Sequence, residues 1–181
     1  MKLPSTNSKL RRALDPGPLD ASSHRDEIAR LKQLFGHAIE MDGVHPLETC
    51  VPYALKLTDD PAYEAIRHAH QDIYAGPEFM EWMIGNLLVE LAAATLGCLI
   101  CYFSNGHFKH VGIMLSADRV RSKWGVMPRY VHSIDEVPAA YGYCVRFFHC
   151  PTPTVAKAKF REFALRKGLT QSAIEQLVTA R

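Results

Sequence analysis

Cys50 and His110 are the two residues of this chain that could carry covalent chemistry together. Cys50 falls where the pattern Cys50-Val51-Pro52-Tyr53-Ala54-Leu55 predicts the start of a helix. Backbone N–H groups are unpaired at a helix start, and the helix dipole is positive there. Both favour thiolate, the reactive form of cysteine. The same N–H groups can hold an oxyanion that develops on a substrate carbonyl. A cysteine nucleophile also needs a base, usually histidine. His110 lies early in an expected strand, after the turn signal Ser104-Asn105-Gly106, and Gly112 leaves its face of that strand open. A third polar group normally orients the imidazole. The next strand offers Ser122, with Arg121 and Lys123 on its other face; His132 and Asp118 are weaker candidates. Against this stands the ordinary fate of free cysteine, which is to be buried as a small hydrophobe.

The elements that must position these residues follow from periodicity and caps. Residues 1–22 mix Pro, Ser, Asn, Gly and basic residues and read as a flexible arm. Helices are expected over Ser23–His37, Cys50–Leu57, Asp60–Tyr74 and Gly76–Ala92, with loop over Glu40–Glu48. The period then changes. Strands are expected over Cys98–Phe103, Phe108–Leu115, Arg119–Trp124, Tyr130–His132 and Tyr143–His149. Ser133–Glu136 is a capping-box pattern stopped by Pro138. Thr154–Lys167 and Thr170–Ala180 close the chain as helices. Helices, then an antiparallel meander of four to five strands, then helices argue for an α+β domain over 23–150 with a helical extension over 151–181.

Composition narrows the function. The chain has 181 residues, 48% of them hydrophobic, and a formal net charge of +2. That supplies a core without staples and no strong signal for nucleic acid. No apolar run approaches the roughly 18 residues of a membrane span. Met1–Ser23 has basic residues but no apolar block, so no secretory signal is read and the cytoplasm is expected, with export by another route left open. Five cysteines in a reducing compartment do not predict disulfides. Cys98-x-x-Cys101 lacks a second ligand pair and lies inside a strand, so neither metal nor cofactor is expected.

The strand block resembles the second half of NlpC-type bacterial papain-like domains. The resemblance rests on Gly97-Cys98-Leu99-Ile100-Cys101-Tyr102-Phe103, His110-Val111-Gly112-Ile113-Met114, Arg121-Ser122-Lys123-Trp124-Gly125 and Glu136-Val137-Pro138-Ala139-Ala140-Tyr141-Gly142. It is closest to an uncharacterised bacterial family of that superfamily, with His-x-Gly, Ser-Lys-Trp-Gly and Glu-Val-Pro-x-x-Tyr-Gly segments. Glu48-Thr49-Cys50 is similar to the helix start that carries the superfamily's nucleophile. The resemblance spans roughly residues 46–149. It implies a papain-like sheet packed on the Cys50 helix, Cys50 as nucleophile, His110 as base and Ser122 at the third position. It also implies a thiol hydrolase or acyltransferase that takes a peptide-like or acyl substrate. Thr49, Cys98 and Ser122 depart from the family's usual residues, which keeps open a non-catalytic binding module on a degenerate papain-like fold. The helix Thr154–Lys167 carries Lys157, Lys159, Arg161, Arg166 and Lys167, a surface suited to a protein partner or simply to solvent.

Overall fold

Between Cys98 and Phe148 the chain is rich in β-branched and aromatic residues separated by turn formers, and there it builds its sheet. A computed structural model describes residues 1–4, 7–15, 21–43, 48–125 and 127–180. The elements begin with α1 (Ser8–Ala13), α2 (Ala21–Phe35), β1 (Glu40–Met41), α3 (Cys50–Leu55), α4 (Pro61–Ala69), α5 (Pro77–Asn86) and β2 (Glu90–Leu91). The strands β3 (Leu99–Ser104), β4 (His107–Met114), β5 (Arg119–Lys123) and β6 (Arg129–Ser133) follow. A 3₁₀ turn (Ala139–Tyr141), β7 (Cys144–Phe148), α6 (Pro153–Arg166) and α7 (Gln171–Thr179) complete the chain. The strands form one antiparallel sheet in the order β1-β6-β5-β4-β3-β7-β2, so the architecture is α+β.

Local chemistry accounts for most boundaries. Asp60, Thr152 and Thr170 accept hydrogen bonds from Ala62, Val155 and Ala173, and Pro61, Pro77 and Pro153 sit in first turns, where a missing N–H costs nothing. Asn105 and Gly106 both take positive φ (52° and 82°), which makes the tight hairpin between β3 and β4. Glu136 and Ser133 close the capping-box pattern as a turn, Ser133 N–H donating to the Glu136 carboxylate and Glu136 N–H to the Ser133 carbonyl.

Alternation along the strands sends side chains to two cores. Leu99, Cys101, Phe103, Phe108, Val111 and Phe148 face α3 to α7. Ile100, Tyr102, Met114, Val120, Tyr130 and Val145 face α1 and α2. Several expectations change. The described part of the expected arm is packed: Leu10 and Leu14 are buried, and the Arg11 guanidinium donates to the carbonyls of Val137, Pro138 and Gly142. Leu10 and Leu14 alone are too few buried positions for periodicity to reveal. The expected extension over 151–181 is also core, because Phe160 packs edge-on against Tyr63 and Phe79, and Ala164 and Ile174 join the same cluster. The Glu40–Glu48 loop contributes β1 at its start, paired with β6. The helix expected to run to Ala92 stops at Asn86, and β2 then pairs with β7. Among the described residues no helix is long and apolar enough to cross a membrane.

Truncating Leu10 tests the packed arm. Leu10→Ala should cost about 2–5 kcal/mol in urea denaturation, the range for a buried leucine. An unpacked arm would give a change within about 0.5 kcal/mol.

Candidate functional site

Cys50 is the first residue of α3 and is partly buried. Thr49 before it is extended (φ −106°, ψ −176°) and makes no side-chain cap. Pro52 has no N–H, which leaves the amides of Cys50 and Val51 as donors near the thiol. α3 lies across β4 and β5. The β4–β5 ladder runs from Met114–Val120 to Gly112–Ser122 and ends there. At this open end the Cys50 sulfur lies near the backbone N–H groups of Val111, Val51 and Cys50, which favour its ionised form. Burial outweighs these donors and the nearby Lys123 cation, and the thiol is pushed up to about 11. The resting sulfur is therefore a neutral thiol at pH 7.

His110 precedes Val111, so Cys50 and His110 border the same opening. Their side chains nevertheless part. The β3–β4 register shifts between Tyr102↔His110 and Phe103↔Phe108, which makes Lys109 the extra residue of a bulge. Regular alternation from Phe108 would turn His110 toward α3; the bulge sends it to the opposite face. There its ring stacks on Tyr141 (centroids 4.0 Å apart, planes 12° apart) and leans on Tyr102 at 5.6 Å. Among the described residues no hydrogen bond joins it to Cys50, and its Nε2 is buried without a partner. Burial, with His132 nearby, drives its pKa well below the ordinary histidine value. The imidazole is neutral, the form that can accept a proton.

The expected orienting role of Ser122 is corrected. Ser122 Oγ accepts from Trp124 Nε1 at 2.9 Å, and its own hydrogen goes to His132 Nε2 at 2.8 Å. His132 Nδ1 in turn donates to the Ser133 carbonyl at 2.8 Å, which fixes the tautomer. Ser122 and His132 thus share a face with His110 but bond each other. Gly112 makes room for this, since a Cβ there would press on Ser122 Cβ at 3.0 Å. Tyr141 is the residue that orients His110, and residue-type reasoning did not single it out because stacking has no spacing signature. Its turn is held by the Arg11 guanidinium and by Gly142, whose φ of +99° and contact with the Phe103 carbonyl admit no side chain.

An open cleft of about 850 Å³ lies beside α3 on the Cys50 side of the sheet. Glu48, Tyr53, Thr58, Arg67, Arg121 and Arg129 are among its walls. Arg121 Nε lies 2.8 Å from the Asp42 carboxylate, and Arg129 donates to the Asp42 carbonyl and sits over the Tyr53 ring. Asp118, the other weak candidate, is exposed and bonds Ser116. Among the described residues no group of three or more His, Cys, Asp or Glu is arranged to hold a metal. On the basic helix, Arg161 pairs with Asp60, Lys159 with Glu162 and Lys167 with Glu78. Much of its charge is thereby met within the chain. The chain matches no described protein family, no curated protein and no solved structure.

The buried histidines set an acid limit. Burial holds His132 at about 4, below the roughly 6.5 of an unfolded chain. Its contribution is fully present above pH 6.5 and is lost as pH falls from 6.5 to 4, because only the unfolded state binds the proton there. The urea midpoint should fall across that window. His132→Gln should remove about 3 kcal/mol of the fall. An identical acid profile in wild type and variant would contradict a buried neutral His132.

Proposed function

We propose that this chain is a thiol hydrolase or acyltransferase of papain-like type, acting on an amide or ester with Cys50 as nucleophile and His110 as base. The observation that carries the reading is the convergence of the α3 start and the His110–Val111 peptide at the open end of the β4–β5 ladder. The cleft beside α3 has room for an acyl group or short peptide, and Cys50 is not among its walls.

The chemistry starts from two neutral groups. As the thiol attacks the carbonyl carbon, the S–C bond forms and the thiol proton goes to His110, whose ring has first to turn from its stack on Tyr141, on the opposite face of the sheet, toward the sulfur. The oxyanion is met by N–H groups around the sulfur, those of Val51 and Val111 among them. α3 is only six residues long, so individual N–H groups matter more than a helix dipole. His110 returns the proton to the leaving amine or alcohol as the C–X bond breaks. Water, deprotonated by His110, then attacks the thioester; the S–C bond breaks, His110 returns the proton to the departing sulfur, and the acid is released. In resting enzymes such proton-transfer contacts are often longer than in the substrate complex.

A non-catalytic binding module is the second reading. It is favoured by the raised Cys50 thiol and the partnerless His110 Nε2. Hydrolysis of p-nitrophenyl acetate and of aminoacyl p-nitroanilides separates the two. The hydrolase reading expects turnover that Cys50→Ala abolishes, that His110→Ala lowers by about 10²–10⁴-fold, and that Cys150→Ala leaves unchanged. It also expects kcat/KM to be level between pH 6.5 and 7.5, since the base is already neutral and the thiol still protonated. Absence of turnover, or turnover that survives Cys50→Ala, supports the binding module instead.

A further inference from the structure

Lys123 ends β5 and is completely buried, an unusual place for an ammonium group. Along β5, Val120 and Ser122 point into the core that holds His110, and Lys123 points to the α3 face. The β4–β5 ladder ends at Gly112–Ser122. Continued by one residue it would pair Val111 with Lys123, so these two residues flank the opening where the Cys50 sulfur lies. The amine donates to the carbonyls of Gly125 and Met127. An ammonium group has three N–H donors, and one is left for an anion. The charged and titratable groups around it are Glu48 from the segment before α3, Cys50 from α3 itself and Arg129 from the paired strand β6. Beyond the sulfur lie Cys101 of β3 and Tyr141 of the 3₁₀ turn.

We propose that Lys123 is the positioning residue that supports ionisation of Cys50, holding a single buried positive charge beside the sulfur at the open end of the ladder. The proposal rests on Cys50 being the nucleophile. A buried ammonium costs free energy unless it meets acceptors or an anion. Two carbonyls meet it in the resting state, and the thiolate meets it when the thiol proton leaves. Arg129 opposes the charge and Glu48 sustains it. Burial lowers Lys123 to about 8, so it is charged at pH 7 and loses its proton before Cys50 ionises. Between the two values the forms thiol–amine and thiolate–ammonium bind equal numbers of protons. Their ratio then does not change with pH.

Iodoacetamide alkylation of Cys50, followed on its own peptide by mass spectrometry, reads this coupling without needing any substrate to turn over. In the wild type the logarithm of the rate should rise with unit slope below about pH 8 and stay level above it. A straight unit-slope rise from pH 7 to 10 would overturn the proposal. At pH 7, Lys123→Gln should slow alkylation at least about tenfold, the equivalent of one unit in the thiol's pKa. Lys123→Arg should stay near the wild-type rate. The buried Cys98 and Cys101 report folding, since they label only if a variant opens. If Lys123→Gln opens, the wild-type profile decides alone. Loss of hydrolysis with the level region intact would sink the hydrolase reading and leave the Lys123–Cys50 pair standing.

Discussion

The site depends on where one ladder of hydrogen bonds stops. β4 and β5 pair as far as Gly112 and Ser122, and past that point β4 still has His110 and Val111 to place while β5 has Lys123. An unpaired backbone N–H inside a protein needs an acceptor. The Val111 amide lies near the sulfur of Cys50, where α3 crosses the two strands. The candidate nucleophile, the candidate base and a buried cation all border one opening because a sheet parts there.

The opposite face of the sheet carries the polar cost. His24, His110, Ser122 and His132 are all buried there, and such groups are tolerated when hydrogen-bonded. His24 Nδ1 meets the Tyr130 hydroxyl at 2.6 Å, and Trp124, Ser122, His132 and the Ser133 carbonyl form a closed chain. His110 is the exception, with an orphaned Nε2 under a stacked Tyr141. A neutral imidazole left short of one partner is what the proposed base role would need. The N-terminal helix contributes to this arrangement, since Arg11 ties down the turn that carries Tyr141.

Much of the fold was legible in local chemistry. The Asn105-Gly106 turn, the Asp60-Pro61 and Gly76-Pro77 helix starts and the Gly168-Leu169-Thr170 break each act through their own backbone preferences, and each falls where it was read. Long-range terms decided what was not legible. β1 and β2 are two-residue strands that exist because β6 and β7 offer free edges. α1 and α6 look peripheral by position, yet both complete cores. At the site, residue types brought Cys50, His110, Ser122 and His132 into view. The Lys109 bulge, which turns His110 away from α3, left no trace in the spacing, nor did the diversion of Ser122 to His132. Tyr141 and Lys123 lay within the segments that carried the family resemblance, but their roles depend on stacking and on the end of a ladder.

The closeness of the Cys50 sulfur to the Val111 amide is the claim on which the rest hangs, and the amide proton of Val111 reports it directly. In ¹H–¹⁵N correlation spectra of the folded protein, Cys50→Ala should move the Val111 amide as one of the largest changes outside α3, with His110 and Gly112 following. A spectrum in which Val111 stays in place, and the changes are confined to α3 and its own neighbours in sequence, would contradict the account.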